Sequence, residues 1–399
     1  MPGIQIDQLT MDELEVDAAG PVWSNILYIF EPSSLLLIGT AVGTVAAAAL
    51  RALRHDVEIH QGGIPHSEGA ITLDSRQALA IPLLSSCSLL ALFYFFHAIQ
   101  FLLILLLCIA SAVGITFAAH PLLKLLTTAR PVLRRRLLLC SRWHVQLGDA
   151  LLAGFSGISV LSWMLTGSMV LNNLLGICLC ISFISFVRLP SLKVTTYLLS
   201  ALFVYDIFWV FFSEGLFGKN VMVEAATKQA ENPAVLVLDA LHMPSAGLAQ
   251  NLDLPVKLVF PGSLLDWDPL KPGLMLGLGD MALPGMLIAL LYSEDVFKWQ
   301  QQCGGSLGTA AKLSLKSRDF WIRSYVLLSI CGYTLGMFLA LGIGTVFQAA
   351  QPALLYLVPC TLSPALVRAA RRKELKELWE GWENAGAEGN KTVRKEPDV

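Results

Sequence analysis

The chain has 399 residues, of which 55% are hydrophobic and only 15% charged, and its mean hydropathy is +0.63. Soluble domains carry about a quarter of charged residues, so the composition excludes a soluble globular protein and a disordered one. The net charge of −2 does not support a nucleic-acid partner. We expect one polytopic domain embedded in a lipid bilayer.

Uncharged or nearly uncharged stretches predict nine transmembrane helices, since about 20 apolar residues cross a bilayer. One helix each is predicted for residues 32–50, 194–213 and 272–293, and two each for 78–123, 150–187 and 324–367. Turns within the first two long stretches are expected near His97–Gln100 and Gly167–Ser168. The predicted fold class is therefore all-α.

The basic residues predict the orientation of these spans. Of the 28 lysines and arginines, 24 fall in alternate loops and in the C-terminal tail, and such residues accumulate on the cytosolic side. We therefore expect a lumenal N-terminus (1–31), a membrane domain (32–368) with a lumenal loop (214–271), and a cytosolic tail (369–399). The first 20 residues lack the basic and apolar regions of a cleavable signal peptide, so we expect the first span to act as the anchor.

The cysteines and histidines indicate neither a disulfide scaffold nor a metal centre. Most of the eight cysteines lie in apolar runs, and the sequence contains no CxxC and no HExxH spacing. We expect no metal and no cofactor.

Two acidic residues, Asp206 and Asp280, are the only ones of 30 that lie well inside the predicted spans. A charge at mid-bilayer costs roughly 2.5–3.5 kcal/mol on insertion scales, so each indicates a functional site. Both lie roughly 10–12 Å from the same predicted membrane face, at about 1.5 Å per residue. Two adjacent carboxyl groups share one proton, and such a pair can act as base toward water and acid toward a peptide carbonyl.

Short motifs accompany these acids. Gly277 and Gly279 precede Asp280 in GLGD and remove side chains where a substrate backbone must approach. Tyr205 precedes Asp206 and offers a hydroxyl group. The last predicted span begins with QPAL, which comprises Gln351, Pro352, Ala353 and Leu354. Each motif alone is also typical of ordinary helix packing.

Together, YD, GLGD and QPAL in this order resemble the intramembrane aspartyl proteases of the presenilin and signal peptide peptidase group. The resemblance covers about residues 22–380 and includes NNLLGI at Asn172–Ile177 and the aromatic run at Phe203–Phe212. The predicted orientation is similar to that of signal peptide peptidases and opposite to that of presenilin. The chain most resembles the short signal peptide peptidase-like proteins of plants or algae, which lack the protease-associated domain.

The resemblance implies an aspartic protease in which Asp206 and Asp280 are catalytic and QPAL holds substrate beside them. It implies that PVKLVFP offers an extended edge to an unwound substrate; this segment comprises Pro255, Val256, Lys257, Leu258, Val259, Phe260 and Pro261. The implied substrates are transmembrane helices of type II membrane proteins, including remnant signal peptides. Self-association into a homo-oligomer is left open.

Two other functions are compatible with acids inside the membrane. A proton-coupled transporter or channel also uses intramembrane carboxyl groups, and a non-catalytic scaffold could keep the fold and bind helices. The tail ends without KDEL or a dilysine signal, which favours the Golgi or endosomes, with the endoplasmic reticulum as the alternative.

Overall fold

A computed structural model describes residues 30–62, 71–130, 136–140, 143–240, 249–262, 273–303, 306–347 and 351–381. The helices are α1 (Pro32–Gly62), α2 (Ser75–Ala129), α3 (Leu147–Thr166), α4 (Met169–Phe186), α5 (Leu192–Ile207), α6 (Ser213–Phe217), α7 (Val221–Thr227), α8 (Pro233–Ala240), α9 (Leu278–Cys303), α10 (Leu307–Lys316), α11 (Arg318–Arg323), α12 (Tyr325–Phe347), α13 (Leu354–Arg372) and α14 (Leu375–Glu380). Most of the predicted lumenal N-terminus and the end of the tail lie outside the described residues.

Short strands connect several of these helices, and the described part of the fold is mostly helical. The strands are β1 (Ile71–Thr72), β2 (Arg136–Cys140), β3 (Trp143–Gln146), β4 (Val187–Arg188), β5 (Ala230–Glu231), β6 (Asn251–Leu252), β7 (Lys257–Phe260) and β8 (Leu274–Gly277). They form the two-stranded pairs β1–β4, β2–β3, β5–β6 and β7–β8, of which the first is parallel. Backbone groups that leave a helix near the protein interior need partners, and pairing with a second connecting segment supplies them.

Six helical segments are long and apolar enough to cross a membrane. They are Pro32–Ile59, Ser75–Ala129, Leu147–Thr166, Met169–Phe186, Leu192–Phe217 and Tyr325–Phe347. The 55-residue helix α2 has non-helical dihedrals at Phe95, two residues before the predicted turn at His97–Gln100. Gly167 separates α3 from α4 in a left-handed conformation (φ 60°), as the predicted turn there requires. Helices α9 and α13 are not among the six, so the count of nine spans stays a prediction.

Helix α9 occupies the centre of the described bundle and packs against α1, α4, α5, α12 and α13. Its residues Met281, Leu287 and Leu291 have no exposed surface. Gly285 allows the closest approach, because a Cβ there would lie 2.5 Å from Cδ1 of Ile184 on α4. The helix that carries Asp280 is therefore held on several sides by other helices.

The first part of the predicted tail folds back onto the bundle. Leu378 on α14 is buried, and the Trp379 ring packs edge-on against Tyr197 of α5 with centroids 6.4 Å apart. Glu374 pairs with Lys298 of α9 and accepts a hydrogen bond of 2.8 Å from the Tyr325 hydroxyl. Residues up to 381 thus belong to the packed structure, which makes their charges relevant to its stability.

Candidate active site

Asp206 lies in the last turn of α5, and only 3% of its surface is exposed. Beyond Ile207 the helix widens into a π-helical segment, Phe208–Phe212, before α6 begins. Such segments occur often at functional sites, since they rotate the side chains on either side of them. This segment was not predictable from the amino-acid pattern, because π-helical geometry has no distinctive hydrophobic period.

Asp280 stands at the junction of β8 and α9. The strand ends at Gly277, the helix begins at Leu278, and Asp280 therefore lies in the first helical turn, where a carboxylate interacts favourably with the helix dipole. A Cβ at Gly277 would lie 3.4 Å from Oδ2 of Asp280, whereas a Cβ at Gly279 would meet no atom within 4 Å among the described residues. The backbone beside this half-buried carboxyl group is thus open.

The fold brings the two acids together, because α5 packs against α9. Asp206 lies in the last turn of α5, and Asp280 lies in the first turn of α9. Among the described residues, no group of three or more histidine, cysteine or acidic side chains has a metal-binding arrangement. Two carboxyl groups placed near one another can exchange protons with a bound water or substrate.

The QPAL segment contacts Asp206 through its last residue, Leu354. The backbone N–H of Leu354 donates a hydrogen bond of 3.0 Å to Oδ2 of Asp206. Leu354 is the first residue of α13, where N–H groups have no partner within the helix. Pro352 and Leu354 are buried, while Gln351 and Ala353 are half-buried. The positive end of α13 thus points at Asp206.

Tyr333, which no sequence motif indicated, supports the backbone of Asp280. Pro284 lies one turn after Asp280 and has no N–H to donate to the Asp280 carbonyl, which the helix would otherwise use. The hydroxyl of the buried Tyr333 donates to that carbonyl at 3.4 Å. Pro284 was a visible signal that this carbonyl needs another donor, but Tyr333 is 53 residues away from Asp280.

Tyr205 is half-buried, and its ring centroid lies 6.4 Å from that of Trp209. Trp209 is itself fixed by a hydrogen bond of 3.1 Å from Nε1 to the hydroxyl of Ser86 on α2. The ring of Tyr205 is therefore held beside Asp206 by neighbours in the π-helical segment.

The PVKLVFP segment contains strand β7, whose four residues are all buried. The strand pairs antiparallel with β8 in the register Lys257 with Gly277 and Phe260 with Leu274. This pairing connects the segment to Gly277 and hence to the residues just before Asp280. Its other edge contacts α4, where two asparagine side chains bind the backbone of Lys257 and Val259.

Comparison with known proteins finds one matching family and several relatives. The signal peptide peptidase family matches residues 66–385, a range that contains both acids and QPAL. The chain is 45% identical over 368 residues to signal peptide peptidase-like 1 of Oryza sativa subsp. japonica and 43% identical over 371 residues to that of Arabidopsis thaliana. Each alignment covers 90% of this chain and 95% of the plant relative. Signal peptide peptidase of Homo sapiens is 28% identical over 330 residues, which cover 77% of this chain and 73% of the human protein.

Proposed function

Because the chain belongs to the signal peptide peptidase family, we propose that it is an intramembrane-cleaving aspartic endopeptidase with Asp206 and Asp280 as its catalytic pair. The observation that supports the proposal most strongly is that α5, α9 and the start of α13 meet beside the two acids. The pair of acids lies where α5 meets α9, and the first amide of α13 binds one of them at 3.0 Å. A transporter or scaffold does not require this convergence.

The proposed reaction needs only water and the two carboxyl groups. The backbone N–H of Leu354 donates to Oδ2 of Asp206 at 3.0 Å and so favours the ionised form of that carboxyl group, and we therefore assign Asp206 as the base that removes a proton from water. The water oxygen attacks the peptide carbonyl carbon, and Asp280 gives its proton to the carbonyl oxygen. The C–N bond of the tetrahedral diol then breaks, and the departing nitrogen takes the proton that Asp206 removed from water. One hydroxyl group of the diol returns its proton to Asp280 as the new carboxyl group forms.

The proposed substrates are transmembrane helices of type II membrane proteins, including remnant signal peptides. A helical substrate hides its carbonyl groups in hydrogen bonds, so it must open near the bond that is cut, and its freed backbone groups need new partners inside the bilayer. The β7–β8 pair can supply them by strand addition. QPAL would hold the opened segment beside Asp206.

The proposal includes the arrangement expected from the sequence. Nine spans with a lumenal N-terminus and a cytosolic C-terminus would place both acids within the bilayer. A Golgi or endosomal location is part of the proposal, with the endoplasmic reticulum as the alternative.

The function class is tested with the purified full-length chain in liposomes and a fluorogenic transmembrane peptide in type II orientation. We expect products cut within the apolar segment, identified by mass spectrometry, and the same rate in the presence of EDTA. Proton-coupled uptake without cleavage would support a transporter, and peptide binding without cleavage would support a scaffold. Either outcome would contradict the proposed protease.

A further inference from the structure

Two neighbouring asparagines on α4 bind strand β7 as a third strand would. The side-chain amide of Asn173 donates to the Val259 carbonyl at 2.7 Å, and its Oδ1 accepts from the Val259 N–H at 2.9 Å. The side-chain amide of Asn172, only 1% exposed, donates to the Lys257 carbonyl at 3.1 Å. Three backbone groups of one strand edge are therefore satisfied by two side chains.

The alternation of an antiparallel pair shows which edge this is. Residues along a strand direct their backbone groups to opposite sides in turn. The N–H of Leu278 donates to the Val256 carbonyl at 3.0 Å, so Val256 and, by alternation, Leu258 and Phe260 face β8. Lys257 and Val259 face away from β8, toward α4. The asparagines thus occupy the outer edge of β7.

The opposite edge of the sheet has no strand beside it in the described part of the chain. The β7–β8 sheet has two strands there, and Met275 on β8 is 53% exposed. By the same alternation, Met275 and Gly277 direct backbone groups away from β7. An added strand would therefore find its partners on β8, which leads directly into Asp280.

Close contact between α4 and this segment is built into the backbone. A Cβ at Gly176, one turn after Asn172, would lie 3.2 Å from Cδ2 of Leu258 and 3.4 Å from the Pro255 carbonyl oxygen. A Cβ at this position would require the Leu258 side chain to move by a few tenths of an ångström. Glycine here therefore allows α4 to lie close to the segment that the asparagine side chains bind.

We propose that Asn172 and Asn173 are positioning residues: they close the outer edge of β7, hold the β7–β8 sheet against α4, and thereby set which substrate bond reaches Asp280. The proposal rests on the proposed protease function. Strand register is the reason for the effect, since a shift of one residue moves a strand by about 3.4 Å and turns its side chains to the other face. A loosened β8 would present neighbouring peptide bonds to the same carboxyl pair.

The first test needs no activity. Hydrogen–deuterium exchange of the purified full-length chain is followed for peptides spanning 255–261 in the wild type, Asn173→Ala and Leu174→Ala. Leu174 is 40% exposed on the same helix and serves as the matched control. We expect exchange in Asn173→Ala to be roughly five- to tenfold faster, as for the loss of one or two hydrogen bonds, and unchanged in Leu174→Ala. Unchanged exchange in Asn173→Ala would overturn the proposal.

The second test measures where a transmembrane peptide is cut. Asn173→Ala should spread cleavage over neighbouring bonds and lower kcat with little change in KM, and Asn172→Ala should do the same more weakly. Identical cleavage positions in identical proportions would overturn the substrate-positioning role even if exchange had increased. If the wild type cut nothing, the proposed protease function and this role would both fail, while the exchange data would still decide whether the asparagines hold the strand.

Discussion

The N–H of Leu354 and the carboxylate of Asp206 are 3.0 Å apart, although 148 residues separate them in the sequence. This hydrogen bond ties the start of α13 to the last turn of α5, with α9 packed against both. A change at QPAL therefore acts on the proposed catalytic pair without an intermediate residue.

Tyr333 is expected to act on Asp280 through its main chain. Tyr333→Phe removes the donor to a carbonyl that Pro284 leaves without a helical partner, and an unsatisfied buried acceptor costs about 1–3 kcal/mol. We expect the free energy of unfolding and the rate of peptide cleavage both to fall. The measurement is a thermal melt and a cleavage assay on the purified variant.

A matched second change tests the cause of that loss. Pro284→Ala restores an N–H one turn after Asp280, so the helix itself can satisfy the carbonyl. The cost of Tyr333→Phe should therefore be smaller in the Pro284→Ala background, which a double-mutant cycle measures. Equal costs in the two backgrounds would mean that the Tyr333 hydroxyl does not serve this carbonyl.

Gly279 and Gly285 should respond in opposite ways to the same substitution. Gly279→Ala meets no described atom within 4 Å, so we expect the melting temperature to be kept or raised and cleavage to fall, because the methyl group occupies space left for substrate. Gly285→Ala would place a Cβ 2.5 Å from Ile184 and should destabilise the protein. Full cleavage activity in Gly279→Ala would show that the opening beside Asp280 does not receive substrate.

Glu374 should make stability depend on pH. Burial alone would raise the pKa of its carboxyl group, but hydrogen bonds from Lys298 and Tyr325 hold that pKa below its usual value. The ionised form is thus favoured by folding, so the contribution is complete above the unfolded pKa and is lost as pH falls through the folded pKa. Because the side chain is 33% exposed, we expect only about 0.5–1 kcal/mol.

The corresponding measurement compares the melting temperatures of Glu374→Gln and wild type across pH. The variant should melt lower near neutral pH, and the difference should vanish in acid, where wild-type Glu374 is protonated. Glu377→Gln, an exposed neighbour on α14, is the control and should show no such trend. A difference between Glu374→Gln and wild type that persists unchanged into acid would contradict the ion-pair explanation.

The sequence predicted the long apolar helices and the turn at Gly167, because those features depend on local composition and on a single glycine. It missed the pairing of Lys257–Phe260 with Leu274–Gly277, since both strands are short and β7 is buried throughout, so neither shows the alternation of a half-exposed strand.

The supporting contacts were harder still to predict. Asn173 binds a strand 86 residues later, and nothing local to either segment indicates that they meet. NNLLGI was recognised as a motif, but its physical reason, two amides and a glycine that fit against β7, required the packed structure.

The central claim is that Asp206 and Asp280 together carry the chemistry, and the most direct measurement is the cleavage rate of the purified Asp206→Asn and Asp280→Asn variants. Asparagine is nearly the same size as aspartate but cannot exchange the proton, so both variants should fold normally and lose activity by about 10²–10⁴-fold or more. Glu214→Gln, an exposed acid outside the pair, should cleave at the wild-type rate. Cleavage by either aspartate variant within about tenfold of wild type would contradict the account, since proton transfer by a catalytic group contributes more than that.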